Sequence, residues 1–385
     1  MRIAMVFDGL QVGGIERVGV DYAKLLSQMG HQVTIFNLKP SETDIESDIP
    51  PTCEIKHYKF SRVMSPEFYS KLSKKTFVLK WGYPFAYGIL TIFNQIYKIP
   101  CRSRGREYDV AIAFSGHYND LTFIASNFLK SKKKLCWLHG ALYGYALISD
   151  GFLNLYGKIR NLVVLVDAFQ DEVLAVNKQL NLNIQKIYNP TFIAERQINS
   201  DKVNQLKKQY GDFLIMVGRI SNDKDQLTLI KAIEYIRKKY KFLEKLLLVG
   251  DGEKCVELKK YVKSHSLEEQ IIFVGNRKDV ENYYSAAYLF AHSSPLEGLP
   301  TTLIEALYFE LPIVATDSLP GVREILGNSE YGMITPVGDY EQMGEEIYRM
   351  YQDNKLYNKY KLKSNQKSKE FAPETIMEKL QKILV

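Results

Sequence analysis

At 385 residues the chain is longer than one hydrophobic core usually serves, so two domains are expected. Hydrophobic residues make up 46% and charged residues 25%, the balance of a folded globular protein rather than a disordered one. The net charge of +7 is mild, and the longest mostly apolar stretch, 85–96, is too short and too mixed to span a bilayer. Residues 1–10 carry too short an apolar run for a secretory signal and read better as a first strand. The four cysteines, Cys53, Cys101, Cys136 and Cys255, are scattered without paired spacing, so reduced thiols and a cytosolic compartment are expected.

The strand at 2–7 runs into Asp8-Gly9-Leu10-Gln11-Val12-Gly13-Gly14, then a helix over 15–29 that Gly30 ends, then a strand at 32–37. A strand, glycine loop, helix and strand in this order open a doubly wound α/β sheet. The dinucleotide fingerprint is absent, because its three-glycine spacing and the acid after the second strand are both missing. Gly13 and Gly14 mark either a close approach of backbone to a ligand or a plain tight turn.

Residues 56–106 form the least regular part of the sequence, with eleven lysines and arginines against a single acid, Glu67. Aromatic residues are interleaved with these cations, among them Tyr58, Phe68, Trp81, Phe85 and Phe93. Cationic heads beside interfacial aromatics suit an anionic membrane surface or lipid headgroup. A solvated basic face over an aromatic core is the competing structural reading. A nucleic-acid patch lacks any accompanying motif, so no nucleic-acid partner is expected.

Strands at 109–114 and 134–138 end in Ser115-Gly116-His117 and His139-Gly140. Ligands of open α/β sheets bind outside the carboxyl ends of the strands, so His117 and His139 are better site candidates than His31, His57 or His265. A buried structural histidine is the alternative for each. Neither a serine-hydrolase elbow nor a metalloprotease histidine pair is present. Further strands are expected at 162–166 and 183–188, and after Asn189-Pro190 the polar stretch 195–201 reads as linker.

A second sheet opens with a strand at 213–217 that ends in Gly218-Arg219, with Lys224 just before a helix over 226–239. Two cations at a strand end beside a helix start form an anion site suited to a diphosphate. Asp223-Lys224-Asp225 also fits the Asp-x-Asp pattern of metal-dependent sugar transfer, but that pattern is short and Asp225 is placed to cap the helix. The strand at 245–249 ends in Gly250-Asp251-Gly252, and the strand at 271–274 ends in Gly275-Asn276-Arg277, where backbone groups could hold a base edge. After a short helix over 280–287 comes the stretch around which the chain is organised, Glu297-Gly298-Leu299-Pro300-Thr301-Thr302-Leu303-Ile304-Glu305, between buried strands at 288–292 and 312–316. A helix starting near Pro300 leaves the amides of Leu299, Thr301 and Thr302 facing an anion. Glu297 and Glu305 then lie on the order of 10 Å apart, too far for one shared bond and suited to the two ends of an extended ligand. A last strand at 331–334, a helix over 340–351 and an amphipathic tail over 373–385, with Ile376, Leu380 and Ile383 on one face, complete the chain.

In order and spacing, Gly218-Arg219, Lys224, Gly250-Asp251-Gly252, Phe273-Val274-Gly275 and Glu297 to Glu305 resemble the retaining glycosyltransferases of family four, over nearly the whole chain. That resemblance implies the α/β GT-B architecture, two facing Rossmann-like domains with an interdomain cleft. The first would be an acceptor-binding domain over 1–190, rejoined by the crossing helix 373–385, and the second a nucleotide-sugar-binding domain over 191–372. It implies that Arg219 and Lys224 hold the donor diphosphate, that Glu297 touches the donor sugar and that Glu305 accepts from the ribose hydroxyls. Gly298, Leu299, Pro300 and Thr301 would wrap the phosphates, while Gly218 sits at the adjoining strand end and Gly275, Asn276 and Arg277 lie near the base. His139 would reach the donor sugar, and Gly13-Gly14 would approach the diphosphate and acceptor.

No metal or other cofactor is expected, since two cations and a helix N-terminus can neutralise the leaving group. The expected donor is a UDP-sugar. The Glu-Gly-Leu-Pro form of the key loop departs from the family's common Glu-Gly-Phe-Gly and is similar to enzymes that assemble bacterial glycans on polyprenyl diphosphate carriers. The expected partners are a lipid-linked or glycan acceptor and an anionic membrane surface, contacted peripherally from the cytoplasmic side. The rival readings are a GT-B sugar-nucleotide epimerase and a non-catalytic nucleotide-sugar or lipid-binding module.

Overall fold

Strands β1 (Arg2–Phe7), β2 (Gln32–Asn37), β3 (Glu54–His57), β4 (Glu107–Ala113), β5 (Lys130–Leu138), β6 (Asn161–Val164) and β7 (Asn183–Lys186) form one parallel sheet in the order β3-β2-β1-β4-β5-β6-β7. A second parallel sheet takes β8 (Leu214–Val217), β9 (Leu246–Val249), β10 (Ile271–Gly275), β11 (Leu289–His292), β12 (Ile313–Thr316) and β13 (Met333–Thr335) in the order β10-β9-β8-β11-β12-β13. This computed structural model describes all residues except 71–75, 100–104, 141–143, 146–150 and 194–195, together with the side chains of 79 and 176–179. Cys101, Lys71, Lys74, Lys75 and the start of the stretch read as linker lie outside the described residues.

The central strands are apolar runs because both faces of a parallel sheet are covered by helices. Ile3 to Val6, Leu214 and Ile215, and Leu289 to Ala291 are all fully buried. The chain divides into two compact units, Met1–Pro190 with Pro373–Val385, and Thr191–Ala372. The terminal helix Pro373–Leu384 buries Ile376, Leu380 and Ile383 and packs beside the first helix, Gly14–Gln28, so its amphipathic spacing is used within the first unit.

In each sheet the order reverses beside the first strand of its unit: chain progression runs outward from β1 to β3 on one side and from β4 to β7 on the other, and likewise around β8. Such a switch point splays the loops apart and opens a crevice at the carboxyl ends of the strands. Both functional clusters described below sit at these two places.

The largest departure from the sequence reading is in residues 56–106. The structure there has β3, short helical turns at Arg62–Met64 and Pro66–Tyr69, and a long helix, Phe77–Tyr97, that contains Pro84. Its outward side is apolar, so the 3.6-residue period points away from the core and does not read as a globular helix. Among the described residues, no helix is long and apolar enough to cross a membrane.

Candidate functional site

The second unit's site is built at the ends of β8 and β11. After β8 the chain turns through Gly218 at φ +155, and the following loop carries Arg219 and Lys224. Gly250 and Gly252 pack beneath it: a Cβ on Gly250 would collide with the Gly218 carbonyl oxygen, and one on Gly252 with that of Ile220. Those glycines therefore let the turn after β9 support the cationic loop. Asp225, in the left-handed region at φ +45, caps the helix Gln226–Tyr240, its carboxylate accepting from the Thr228 amide and, at 2.6 Å, from the Thr228 hydroxyl. Asp223 accepts from Arg219. Both acids of the Asp-x-Asp pattern are thus engaged within the loop, and among the described residues no cluster of three or more His, Cys, Asp or Glu side chains is arranged to hold a metal.

Lys224 Nζ donates to Glu297 Oε1 at 2.6 Å, joining the loop after β8 to the loop after β11. His292, the last residue of β11, is 2% exposed, with Nε2 3.4 Å from the same carboxylate oxygen. Neither ring nitrogen has a hydrogen-bond partner among the described residues. Burial alone would raise the Glu297 carboxyl, but the His292 ring and the Lys224 ammonium overcome it and hold it at about 2. Glu297 is therefore an anion over the whole physiological range, an acceptor for sugar hydroxyls rather than a proton donor. By contrast, Arg219 is exposed and its pairing with Asp223 is a surface contact of low worth, so the guanidinium can exchange that partner for an anion at little cost.

The loop from Glu297 is held from below and from one side. Ser293 donates to the Lys224 carbonyl oxygen, Thr316 donates to the Ser294 carbonyl at 2.6 Å, and Ser318 donates to the same carbonyl. From the side, the Gly321 amide donates to the Glu297 carbonyl, and a Cβ on Gly321 would collide with the Gly298 carbonyl oxygen. Helix Thr301–Tyr308 has Pro300 as its N-cap, so proline stands just outside the first turn rather than within it. Leu299 and Pro300 are buried, and none of the described hydrogen bonds uses the amides of Thr301 or Thr302. Those two donors and the positive end of the helix dipole sit on the same loop as Glu297. One helical turn further, Glu305 accepts from the buried Tyr284 hydroxyl at 2.8 Å, which fixes the carboxylate.

At the end of β10, Gly275 takes φ +77 and its carbonyl accepts from the Gly250 amide. Asn276 and Arg277 are exposed, with the Arg277 guanidinium over the Tyr283 ring at 5.5 Å.

The first unit's cluster stands at the ends of β1 and β4. The Asp8 amide donates to Ser115 Oγ at 2.9 Å, Asn119 donates to Asp8 Oδ1 at 2.5 Å, and His117 Nδ1 lies 3.4 Å from Asp8 Oδ2. The hydrogen bond to Asp8 raises the His117 pKa against the opposing effect of burial. Asp120 accepts from the Gly116 and His117 amides, both at 2.8 Å, and burial pushes its carboxyl up to about 7. His139 donates from Nε2 to the Phe114 carbonyl at 2.7 Å, and burial lowers its pKa to about 4. It is neutral near pH 7, with the Nδ1 lone pair left as an acceptor. Gly13 is extended and Gly14 begins the first helix, so neither needs a positive φ; a Cβ on Gly14 would meet nothing within 4 Å.

The structure thus joins Lys224 to Glu297 and places Gly298 to Thr301 beside them, while Arg219, Asn276 and Arg277 stand on neighbouring loops. Sequence reasoning passed over His292 and Asp8. The signal for both was position: each stands where a buried strand ends, five residues before Glu297 in one case and immediately after β1 in the other.

Residues 197–367 match the family described as glycosyl transferases group 1. The amylovoran biosynthesis glycosyltransferase AmsD of Erwinia amylovora is 26% identical, with 100% of this chain and 99% of that protein covered. The GalNAc-alpha-(1->4)-GalNAc-alpha-(1->3)-diNAcBac-PP-undecaprenol alpha-1,4-N-acetyl-D-galactosaminyltransferase of Campylobacter jejuni is 23% identical, covering 100% of this chain and 98% of that protein. Among solved structures, Anabaena Alr3699/HepE in complex with UDP superposes with a TM-score of 0.75 at 20% identity, covering 100% of this chain and 99% of that chain. The likeness in structure gives the fold, and the GT-B architecture expected from the motifs is the one found.

Proposed function

The chain is a glycosyltransferase of the GT-B fold whose second unit carries the group 1 glycosyl transferase domain, and from that premise we propose that it moves a hexose or N-acetylhexosamine from UDP to a hydroxyl of a lipid-linked glycan, with retention, in bacterial surface-glycan assembly. The observation that carries this reading is the Lys224–Glu297 pair at the second switch point, beside the unused amides of Thr301 and Thr302. Cations and helix amides suit the diphosphate, and an anionic Glu297 suits sugar hydroxyls. Glu305, already oriented by Tyr284, suits the ribose.

In this reading Arg219 and Lys224 neutralise the charge that grows on the departing UDP as the bond from the sugar C1 to the phosphate oxygen breaks. Lys224 has three N–H donors, so one can remain on Glu297 while others meet the phosphate. The acceptor oxygen bonds to C1 from the same face, and its proton passes to the departing phosphate oxygen. His139 offers its Nδ1 lone pair to a sugar hydroxyl, and Gly14 leaves open backbone beside the ligand. Retention is supported by chemistry: UDP-hexoses are α-linked, and the Campylobacter relative is named for an α linkage. No metal is required by this set of groups.

The acceptor is assigned to the first unit. A cavity of about 700 Å³ there is lined by Asp8, Lys39, Lys59, Phe60, Arg62 and Asn119. Its cations suit a diphosphate, and Asp8 suits a hydroxyl donor. The Campylobacter relatives' names support a glycan acceptor on an undecaprenyl diphosphate carrier.

Thermal stabilisation by UDP, GDP, ADP and CMP, each with and without magnesium, tests the donor half. The expected result is a shift with UDP that magnesium does not change. Equal indifference to all four at millimolar concentration would remove the proposal. Conversion of a UDP-sugar alone into a different sugar nucleotide would replace it with the epimerase reading.

A further inference from the structure

Helix Phe77–Tyr97 is built the wrong way round for a helix facing water. Its outward side carries Phe77, Trp81, Phe85, Ile89, Ile92 and Ile96, spaced three or four residues apart and all exposed, with Trp81 68%, Phe85 74% and Ile89 69% accessible. Its inward side holds polar groups instead. Tyr87 donates to Glu67, Asn94 donates to the Met64 carbonyl at 2.7 Å, and Lys98, just past the helix, donates to the Ser126 carbonyl. Those hydrogen bonds fix the helix on the first unit and turn its apolar stripe outward. At about 1.5 Å per residue the stripe is roughly 28 Å long. Outside this helix and Ile99 just beyond it, the exposed large apolar side chains of the described residues, such as Val12, Leu174, Leu243 and Leu362, are scattered along the chain.

The charge around it favours one occupant. Glu67 is the only acid between residues 56 and 106, and it is buried and paired with Lys158 Nζ at 2.6 Å. Among the described residues of this segment, the charged groups shown to solvent are therefore positive, including exposed Lys59, Arg62 and Lys80. An apolar stripe with tryptophan and phenylalanine, in a segment whose one acid is buried and whose other charged residues are cations, matches the boundary between headgroups and acyl chains of an anionic bilayer. A protein groove would have to supply an apolar trough and an acidic rim together.

We propose that the outward stripe of helix Phe77–Tyr97 is a monolayer-inserting docking face for anionic membranes. The helix lies in the plane of the interface, with Trp81, Phe85 and Ile89 among the acyl chains and the neighbouring cations at the phosphates. Because Asn94 ties the helix to Met64, two residues after Arg62, docking brings the acceptor cavity to the membrane surface. In that purpose the inference rests on the lipid-linked acceptor reading; in its geometry it rests on the helix alone.

The two tryptophans make a direct test. Trp137 is 1% exposed in the first sheet, whereas Trp81 stands on the stripe. The full-length protein is mixed with vesicles of phosphatidylcholine and phosphatidylglycerol, with and without bromine on the acyl chains. The expected result is quenching of Trp81 by the brominated lipid. Trp81→Phe should still sediment with vesicles but show no quenching, since Trp137 stays shielded. Replacing Trp81, Phe85 and Ile89 by serine should weaken partition by roughly a hundredfold, while UDP stabilisation is unchanged. Vesicle binding without quenching would overturn the proposal in favour of a purely electrostatic contact. So would absence of vesicle binding together with a dimer that the serine variant converts to monomer, which would give the stripe to a second copy. Quenching without transfer to any polyprenyl-diphosphate acceptor would instead overturn the acceptor reading and leave the docking face standing.

Discussion

The two switch points are the same place in two similar sheets, yet they present different chemistry. In the second unit the loops after β8 and β11 bring Lys224 to Glu297, place Arg219 on the exposed side and leave helix amides without partners. In the first unit the loops after β1 and β4 bring Asp8 together with His117, Asn119 and Ser115, with Glu16 and Asp120 near the same imidazole. One crevice offers donors and positive charge, which suit phosphate. The other joins a carboxylate and a histidine with a raised pKa, which suit hydroxyl groups, to a cavity that Lys39, Lys59 and Arg62 also line. A transfer from a nucleotide diphosphate to an alcohol needs one of each. In the proposed reading the difference between the units is a division of labour that the shared topology does not dictate, because side chains at the strand ends set it.

The sharpest way to break this comparison is to remove the cation of the second unit. Lys224→Ala is expected to lower the transfer rate by a hundredfold or more, the scale seen when a charge-stabilising donor is lost. Arg219→Ala should act in the same direction. Near-normal initial rates in both variants at saturating donor would place the diphosphate elsewhere and leave the two switch points without their assigned roles.

Asp8→Asn probes the other side and keeps the shape of the residue. It should reduce kcat/KM for the acceptor by about ten- to a hundredfold, the worth of a charged hydrogen bond. Stabilisation by UDP should not change. The His117 pKa should fall toward its ordinary value, since the hydrogen bond to Asp8 is what chiefly raises it. Loss of UDP stabilisation in this variant would mean that the two clusters are not separable by ligand.

Gly321→Ala tests whether the key loop is held by close backbone approach. A Cβ there meets the Gly298 carbonyl, so the loop has to shift, at a cost on the order of 1–3 kcal/mol. About a tenfold loss of UDP affinity is expected by titration calorimetry, with transfer falling in step. Unaltered affinity would show that the loop position does not set donor binding.

How much of this was legible differs between the two units for a physical reason. In the second unit, β8, β9, β11 and β12 are short apolar runs followed by glycine, serine or aspartate, so period and punctuation agree and the strands and loops fall within a residue or two of expectation. Glu297 to Glu305 was readable because loop, proline and helix signals coincide there. His292 was not, since a histidine closing an apolar strand looks like core until its distance to Glu297 is known. In the first unit β3 has a polar sequence, Glu-Ile-Lys-His, and only its pairing with β2 makes it a strand. Helix Phe77–Tyr97 was hidden for a related reason. Its apolar period is regular, but Pro84 interrupts it, and a stripe facing outward carries no signature of the core it avoids.

The smallest effect concerns His139, whose two possible roles, ligand group and buried structural histidine, predict different things. Burial holds its pKa at about 4 against an ordinary 6.5. As pH falls below about 6.5 the unfolded chain gains a proton at this residue that the folded chain refuses, so stability declines; once pH passes below about 4 the folded form also takes the proton and the decline from this group stops. Between pH 7 and pH 5.5 the contribution is about 1 kcal/mol. Urea unfolding at the two pH values should show that loss in the native protein and a smaller one in His139→Gln, which has no charge to gain. If His139→Gln also keeps full transfer activity at pH 7, the histidine is structural, and the first unit meets the substrates through Asp8 and His117 instead. If transfer falls at least tenfold while the stability at pH 7 is preserved, the Nδ1 lone pair is doing chemistry, and the hydrogen bond to the Phe114 carbonyl is what keeps it aimed.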